Sequence, residues 1–294
     1  MTKGFIATVK PQSLAISIIS VSVGTAVAAL HGPIHWVHYF LTLLGISLLH
    51  AGSNVINDYF DFRNKIDTRE VPGSYATEGR VLIQEWLRPK QVLGLALIFF
   101  ALSLPIGIYL TVARGLPVFI LGFIGFLTGM FYTARPIAFK YVAMGEPAVF
   151  FIWGPLTVSG AYYVQTGQFS SQVLLISLPI GILVALILFA NNIRDIGFDG
   201  GVGIRTIATV LGGTRAIRVY QMLVAAVYAM ALVLLMSGQL SGWVLLTWFS
   251  LPLAIKLIKM LKTEAPKDAD ARTAQLDTAF GALLILSILL QKWL

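Results

Sequence analysis

The sequence predicts a single all-α polytopic membrane domain over residues 1–294, with nine transmembrane helices around a central cavity and cytoplasmic cap loops. Three observations carry that expectation. The chain is 57% hydrophobic and 12% charged, with mean hydropathy +0.83, about half the usual charged fraction, which excludes an ordinary soluble domain. Apolar runs of about 20 residues, each long enough to cross a bilayer, recur along its whole length. Its basic residues fall in alternate connections between those runs.

The expected spans are roughly 14–30, 36–57, 92–112, 116–133, 147–164, 172–192, 217–237, 241–260 and 276–293. The first has features of a signal peptide, since Lys3 and Lys10 precede it and Ala26-Val27-Ala28 follows. It is read as a retained helix, because the next span needs a hairpin partner. All of the 21 Lys and Arg residues except Arg114 and Lys292 fall at the N-terminus or in even-numbered connections. The positive-inside rule then makes the N-terminus cytoplasmic and puts the C-terminus on the opposite side of the cell membrane. All 13 acidic residues fall on the cytoplasmic side, so the charges available for chemistry share one face. The net charge of +8 follows this topology, and no nucleic-acid partner is expected. There is no Cys, hence no disulfide and no thiolate metal site.

The outward connections 31–35, 165–171 and 238–240 are short and nearly uncharged, whereas the inward ones at 58–91 and 193–216 are long. These two are expected to cap a cavity. Within the first, Val81–Leu87 has the pattern of a short amphipathic helix lying on the membrane surface. The second is rich in glycine. Segment 261–275 reads as a solvated connection. His31, His35 and His38 with Trp36 lie on the outward side, away from every carboxylate, and read as an interfacial aromatic belt.

Chemistry concentrates in two related stretches. Asn54-Val-Ile-Asn57-Asp58-Tyr-Phe-Asp61 closes the second span, and Asn191-Asn192-Ile-Arg194-Asp195-Ile-Gly-Phe-Asp199 closes the sixth. On a continuous helix Asp58 and Asp61 stand roughly 60° apart, and Asp195 and Asp199 roughly 40° apart. Each stretch therefore aims two carboxylates and an amide in one direction. Carboxylates at hydrocarbon depth are costly and mark functional sites. Four of them without thiolates favour a hard cation such as Mg²⁺, which binds through a few carboxylates plus substrate phosphates. The competing interpretation is interhelical salt bridges to Arg63 and Arg194. Arg135 and Lys140 are expected at the polar mouth, with Pro136 stopping the fourth span and Tyr132 a turn deeper, its ring available to a cation. Snorkelling and interfacial anchoring account equally well for these three. Gly203-Ile-Arg205-Thr206 has the makings of a phosphate-binding turn.

Together the two stretches resemble the UbiA superfamily of intramembrane prenyltransferases, over nearly the whole chain and in the same order of elements. The resemblance looks closest to the menaquinone branch, the 1,4-dihydroxy-2-naphthoate prenyltransferases, and to UBIAD-type relatives. It is carried by Asn57-Asp58-Tyr59-Phe60-Asp61 with Asp67 beyond, by Asn191-Asn192-Ile-Arg194-Asp195 with Asp199, and by Gly145-Glu146, Tyr162–Gly167 and Gly203–Thr206. It implies transfer of a polyprenyl group from its Mg²⁺-bound diphosphate to an aromatic acceptor. Asp58, Asp61, Asp195 and Asp199 are then metal ligands, with Asp67 as a further candidate; Asn54, Arg135, Lys140, Asn192 and Arg205 bind diphosphate; Tyr132 shields the allylic cation. Lys65 stands where the superfamily pattern has its third Asp, and Arg205 where this branch often has Lys. Other acceptors on the same chemistry are 4-hydroxybenzoate and a glyceryl lipid. A cation-coupled transporter fits less well, because both Asp pairs sit at helix ends and not at mid-span. A polyprenyl-phosphate binding protein without chemistry is the remaining alternative.

Overall fold

The computed structural model describes residues 2–66, 80–261 and 265–292. Among them the protein is helical, with one isolated β-bridge between Val142 and Arg205. In chain order the helices are α1 (Thr2–Val9), α2 (Leu14–Ala29), α3 (Trp36–Arg63), α4 (Arg80–Ile83), α5 (Pro89–Arg114), α6 (Leu116–Met130), α7 (Gly145–Phe151) and α8 (Thr157–Thr166). They continue with α9 (Ser171–Arg194), α10 (Ile196–Gly201), α11 (Ile207–Leu211), α12 (Gly213–Met236), α13 (Leu251–Met260) and α14 (Ala269–Lys292).

Each of the nine expected spans falls on helix. Among the described residues seven stretches are long and apolar enough to cross a bilayer: Lys3–Ala29, Trp36–Arg63, Pro89–Arg114, Ser171–Arg194, Gly213–Met236, Gly242–Met260 and Ala269–Lys292. The other two are shorter. Helix α6 has 15 residues, and α7 and α8 are separated by a π-helical turn over Ile152–Leu156 that contains Pro155. Proline has no N–H to give the preceding turn, and a wider turn accommodates the loss.

The bundle has two buried clusters. Ile176, Ile180 and Leu183 of α9 pack with Tyr220 of α12 and Phe280 of α14 in the larger. Val55 and Ile56 of α3 pack with Val92 and Ala96 of α5 in the smaller. Large side chains such as Phe40, Leu104, Val112 and Met236 are exposed on the outside, the inverse of a soluble surface and the expected face toward lipid. Helices approach closely where glycine removes a side chain, as membrane helices do. A Cβ on Gly24 of α2 would lie 2.1 Å from the Val158 carbonyl oxygen of α8, and one on Gly181 of α9 would lie 2.7 Å from the Phe150 carbonyl oxygen of α7.

Three expectations need correction. The segment Val81–Leu87 is helical only as far as Ile83, and Val81, Leu82 and Leu87 are buried against the cluster of α3 and α5, with Ala7 and Val9 of α1 packed alongside. Its apolar side faces protein because α1, absent from the expected spans, covers it. Pro136 does not stop α6, which ends at Met130 and gives way to turns before the proline is reached. Segment 261–275 is more than a connection, since α14 begins at Ala269 and its first turn joins the site described next.

A candidate intramembrane active site

The two acidic stretches behave differently. Asp58 and Asp61 both lie in the last turns of α3, and both are buried. Helix α9 stops at Arg194, Asp195 leaves helical geometry, and α10 restarts at Ile196. The second pair therefore does not share one continuous helix as expected. Gly197, Gly200 and Gly201 lower the helical propensity there. The Asp199 N–H still bonds the Asp195 carbonyl at 2.9 Å, which keeps the two residues one turn apart.

Three of the four carboxylates carry a cation from the chain itself. Lys10 Nζ is 3.1 Å from Asp58 Oδ1, and Thr8 Oγ1 donates to Asp58 Oδ2 at 2.8 Å. Lys140 Nζ donates to Asp61 Oδ2 at 2.7 Å, while the Tyr141 hydroxyl donates to Asp61 Oδ1. Burial, and then the Asp61 carboxylate, push the Tyr141 phenol well above its ordinary pKa, so it remains a donor. Arg194 grips Asp195 with two hydrogen bonds, Nε to Oδ1 at 3.0 Å and Nη2 to Oδ2 at 2.9 Å. It also donates to the Asn191 amide oxygen, to the Lys267 carbonyl at 3.1 Å, and pairs with Asp270 at 3.3 Å. The competing interpretation foresaw interhelical pairs: Arg194 makes one to Asp270 of α14, whereas its pair with the motif carboxylate Asp195 is between chain neighbours. Buried charge must be neutralised, and these pairs do so.

Asp199 has no ion pair among the described residues. Burial pushes its carboxyl up to about 7, opposed first by Lys140 and reinforced by Asp195. The Lys140 ammonium thus bonds Asp61 and also favours the charged form of Asp199. The backbone places it there: Ala143 N–H donates to Arg205 O at 2.7 Å and Arg205 N–H to Tyr141 O at 3.3 Å. The loop after α6 is thereby fastened to the loop after α10.

A cavity of about 400 Å³ opens from this polar end. Lys10, Asn54, Asn57, Asp61, Tyr132, Lys140, Asn191 and Asp270 line that end, and mainly apolar residues of α3, α5, α6, α8, α9 and the turn at Ile152–Leu156 line the rest, with His50 among them. Along α3 the wall runs from Asp61 to Thr42, about 28 Å at the helical rise. That nearly matches the bilayer's hydrocarbon thickness of about 30 Å. Asp58, Asp195, Asp199, Asn192, Arg135 and Arg205 are not part of the wall. Arg135 and Arg205 are exposed. Asn54 directs its amide N–H to Val9 O at 3.1 Å and Ser13 Oγ at 2.9 Å, and so holds the N-terminal arm. Asn192 donates to Glu146 Oε1 at 2.9 Å, leaving Glu146 Oε2 buried and without a partner. Asp67 lies outside the described residues.

The donor chemistry fits a hard cation: buried carboxylates, amide oxygens and one orphaned carboxylate oxygen, with no sulfur. Among the described residues no group of three or more acidic or histidine side chains is already gathered as a metal centre, and Lys10, Lys140 and Arg194 pair with three of the four carboxylates. Sequence reasoning missed Thr8, Lys10 and Tyr141 as site residues. Lys10 was visible as a basic residue just before the first span, but nothing in the sequence tied it to Asp58.

An all-helical membrane bundle with two acidic helix ends at the head of one long apolar cavity defines an intramembrane enzyme or carrier for an amphiphile with a charged head. The family model for the UbiA prenyltransferase family matches residues 17–284, and the chain belongs to that family. It is 29% identical over 285 residues to the 1,4-dihydroxy-2-naphthoate octaprenyltransferase of Bacillus subtilis (strain 168), covering 96% of this chain and 90% of that protein. It is 31% identical over 298 residues to UbiA prenyltransferase domain-containing protein 1 of Dictyostelium discoideum, covering 98% and 87%. A UbiA homolog from Aeropyrum pernix K1 superposes with a TM-score of 0.73 at 17% identity over 93% of this chain and 97% of that one. A UbiA homolog from Archaeoglobus fulgidus bound to GPP and Mg²⁺ gives 0.67 at 16% over 96% and 99%.

Proposed function

We propose that the protein transfers a polyprenyl group from a prenyl diphosphate to an aromatic acceptor, 1,4-dihydroxy-2-naphthoate, in a Mg²⁺-dependent reaction of menaquinone biosynthesis. The observation that carries this reading is that both acidic stretches reach the polar end of one long apolar cavity, the first through Asn54, Asn57 and Asp61 and the second through Asn191. A diphosphate head and a polyprenyl tail have that polarity and shape. The orientation proposed puts the polar end on the cytoplasmic side.

Asp58, Asp61, Asp195 and Asp199 would hold Mg²⁺, with Asp67 as a further candidate, and the ion supplies positive charge to a diphosphate leaving group. Lys10 and Lys140, already at the cavity wall, turn their ammonium groups from carboxylate to diphosphate. Arg135 and Arg205, on the adjoining loops, add charge from outside the cavity, and Asn54 and Asn192 orient the head group. The allylic C–O bond breaks with both electrons leaving on the diphosphate. The acceptor ring carbon then attacks the allylic carbon while the Tyr132 ring faces the cation. For dihydroxynaphthoate the ring carboxylate leaves as CO₂. The apolar wall keeps out water, which otherwise traps the cation as an alcohol.

The Bacillus relative's name favours this acceptor among those the fold accommodates. The test supplies purified protein with Mg²⁺, a prenyl diphosphate and carboxyl-labelled 1,4-dihydroxy-2-naphthoate, followed by mass spectrometry. Prenylated product with labelled CO₂ is the expected result. Turnover of 4-hydroxybenzoate or a glyceryl lipid in its place overturns the acceptor and keeps the donor chemistry; no turnover of any prenyl diphosphate overturns both.

A further inference from the structure

The cavity's far wall contains two positions whose missing side chains matter to what the cavity holds. Gly122 and Gly125 both lie in α6 and line the cavity. A Cβ built on Gly122 meets no atom within 4 Å, and one on Gly125 meets only Leu156 Cδ2, at 3.8 Å. Of the other glycines on the cavity wall, Gly107 of α5 is likewise open, whereas Gly45, Gly129 and Gly160 meet a neighbour: a Cβ on Gly129 would fall 2.2 Å from Ser53 Oγ. Packing explains the absence of a side chain at Gly129 and leaves it unexplained at Gly122 and Gly125. Glycine in a helix interior costs roughly 1 kcal/mol relative to alanine, so two unforced glycines three residues apart on a cavity wall have a cost with no packing return.

Their depth suggests what they serve. From the end of α6 at Met130, Gly125 lies about 8 Å down the helix and Gly122 about 12 Å. An extended chain covers roughly 1.2 Å per bond, so the four-bond repeat of an isoprene spans roughly 5 Å. One step from Gly125 to Gly122 is about 4.5 Å, close to one such repeat. Resting on the proposed function, we infer that Gly125 and Gly122 form the floor along which the prenyl tail runs. They lie beside its second and third isoprene units and set how long a donor the enzyme accepts.

A side chain at either position would then cut the groove at a defined length. The experiment measures product formation by wild type, Gly125→Leu, Gly122→Leu and Gly122→Ala with dimethylallyl, geranyl, farnesyl and geranylgeranyl diphosphate, at fixed acceptor and Mg²⁺. Relative to wild type, Gly125→Leu is expected to keep dimethylallyl transfer and lose at least tenfold with geranyl and longer donors. Gly122→Leu is expected to keep geranyl transfer and lose at least tenfold with farnesyl and longer donors, with Gly122→Ala shifted the same way but less. An unchanged length profile in both leucine variants, or an equal loss across all donors with Gly122→Ala unaltered, overturns the inference while leaving prenyl transfer itself intact. Failure of wild type with every donor instead overturns the proposed function and this inference with it.

Discussion

Lys140 serves two partners that ask opposite things of it, and Lys140→Met separates them. Its Nζ bonds Asp61 at 2.7 Å, with the lysine side chain 28% exposed and the aspartate 9% exposed. A hydrogen bond between charged groups contributes roughly 1.5–3 kcal/mol. Partial exposure lowers that contribution to about 1–2 kcal/mol. At 1.4 kcal/mol per factor of ten, that is roughly 5- to 30-fold in an equilibrium constant. Without the ammonium, Asp61 has no internal cation to exchange, so Mg²⁺ binding in the absence of diphosphate should tighten by about that factor. The prenyl diphosphate loses a positive partner, so its KM should rise by a similar factor while the KM for the acceptor stays within about twofold. Methionine keeps the length of the side chain and removes only the charge. Metal binding is read by isothermal titration in detergent and KM by steady-state kinetics. If Mg²⁺ affinity and donor KM both worsen, Lys140 is a structural strut, and its proposed exchange between carboxylate and diphosphate is wrong.

Four further outcomes are expected. Asp58→Asn, Asp61→Asn, Asp195→Asn and Asp199→Asn each keep the fold and reduce turnover by at least a hundredfold at saturating Mg²⁺, an activity assay in which near-normal rates would refute the ligand assignment. Gly24→Ala drives a Cβ into the Val158 carbonyl and costs about 1–3 kcal/mol by overpacking, whereas Gly94→Ala in α5, with open space around it, gains up to about 1 kcal/mol; thermal unfolding in detergent compares them. Asp199, raised from 3.8 to about 7, is protonated in the folded state where the unfolded chain is ionised, so metal-free stability falls as pH rises from about 4 to 7, and Mg²⁺ added below about pH 7 releases protons measurable in weak buffer. Asp277 is buried in α14 with neither carboxylate oxygen partnered; Asp277→Leu, which keeps the branching at Cγ, removes an unsatisfied group that costs about 1–3 kcal/mol and raises the midpoint of thermal unfolding, and a lowered midpoint would show that the carboxyl has a use.

Periodicity and length made the helices legible, because a segment crossing hydrocarbon must be apolar along its whole length and satisfy its backbone internally. The positions of Asp58 and Asp61 at one helix end were legible for the same reason: a carboxylate is affordable there and not at mid-span. The interruption after Arg194 was not, since glycine propensity is a weak prior against a strong motif. Neither was α1. Its sequence, Thr2–Val9, carries too few residues to span and no repeat to mark it, and its role appears only when Thr8 and Lys10 reach Asp58. The histidines of the outward side illustrate a partial reading. His38 accepts from Arg114 Nε at 3.2 Å and the His35 backbone bonds the Gln165 side chain at 2.9 Å. The expected aromatic belt is therefore also a clamp that ties Gln165 of α8 to the N-terminal end of α3. That places the Tyr162–Gly167 stretch, read as a mark of the acceptor branch, at the end of α3 remote from Asp61.

The scattered basic residues have a common physical origin. A site meant to receive a divalent cation at membrane depth must keep its carboxylates tolerable when the cation is not bound, and bare buried charge is not tolerable. Lys10 comes from the segment before α2 and Lys140 from the loop after α6, so each lysine pair also fastens a piece of chain to the end of α3, while Arg194, beside Asp195 at the end of α9, ties that end to α14 through Asp270. Asp199, the carboxylate without an ion pair among the described residues, meets the same requirement by holding a proton near neutral pH. On the proposed ligand assignment, a metal held by all four carboxylates would displace three internal cations and one proton. The lysines on the cavity wall then face the place where a diphosphate brings compensating negative charge. Metal and diphosphate should consequently bind more tightly together than either does alone, because each restores the charge balance that the other disturbs.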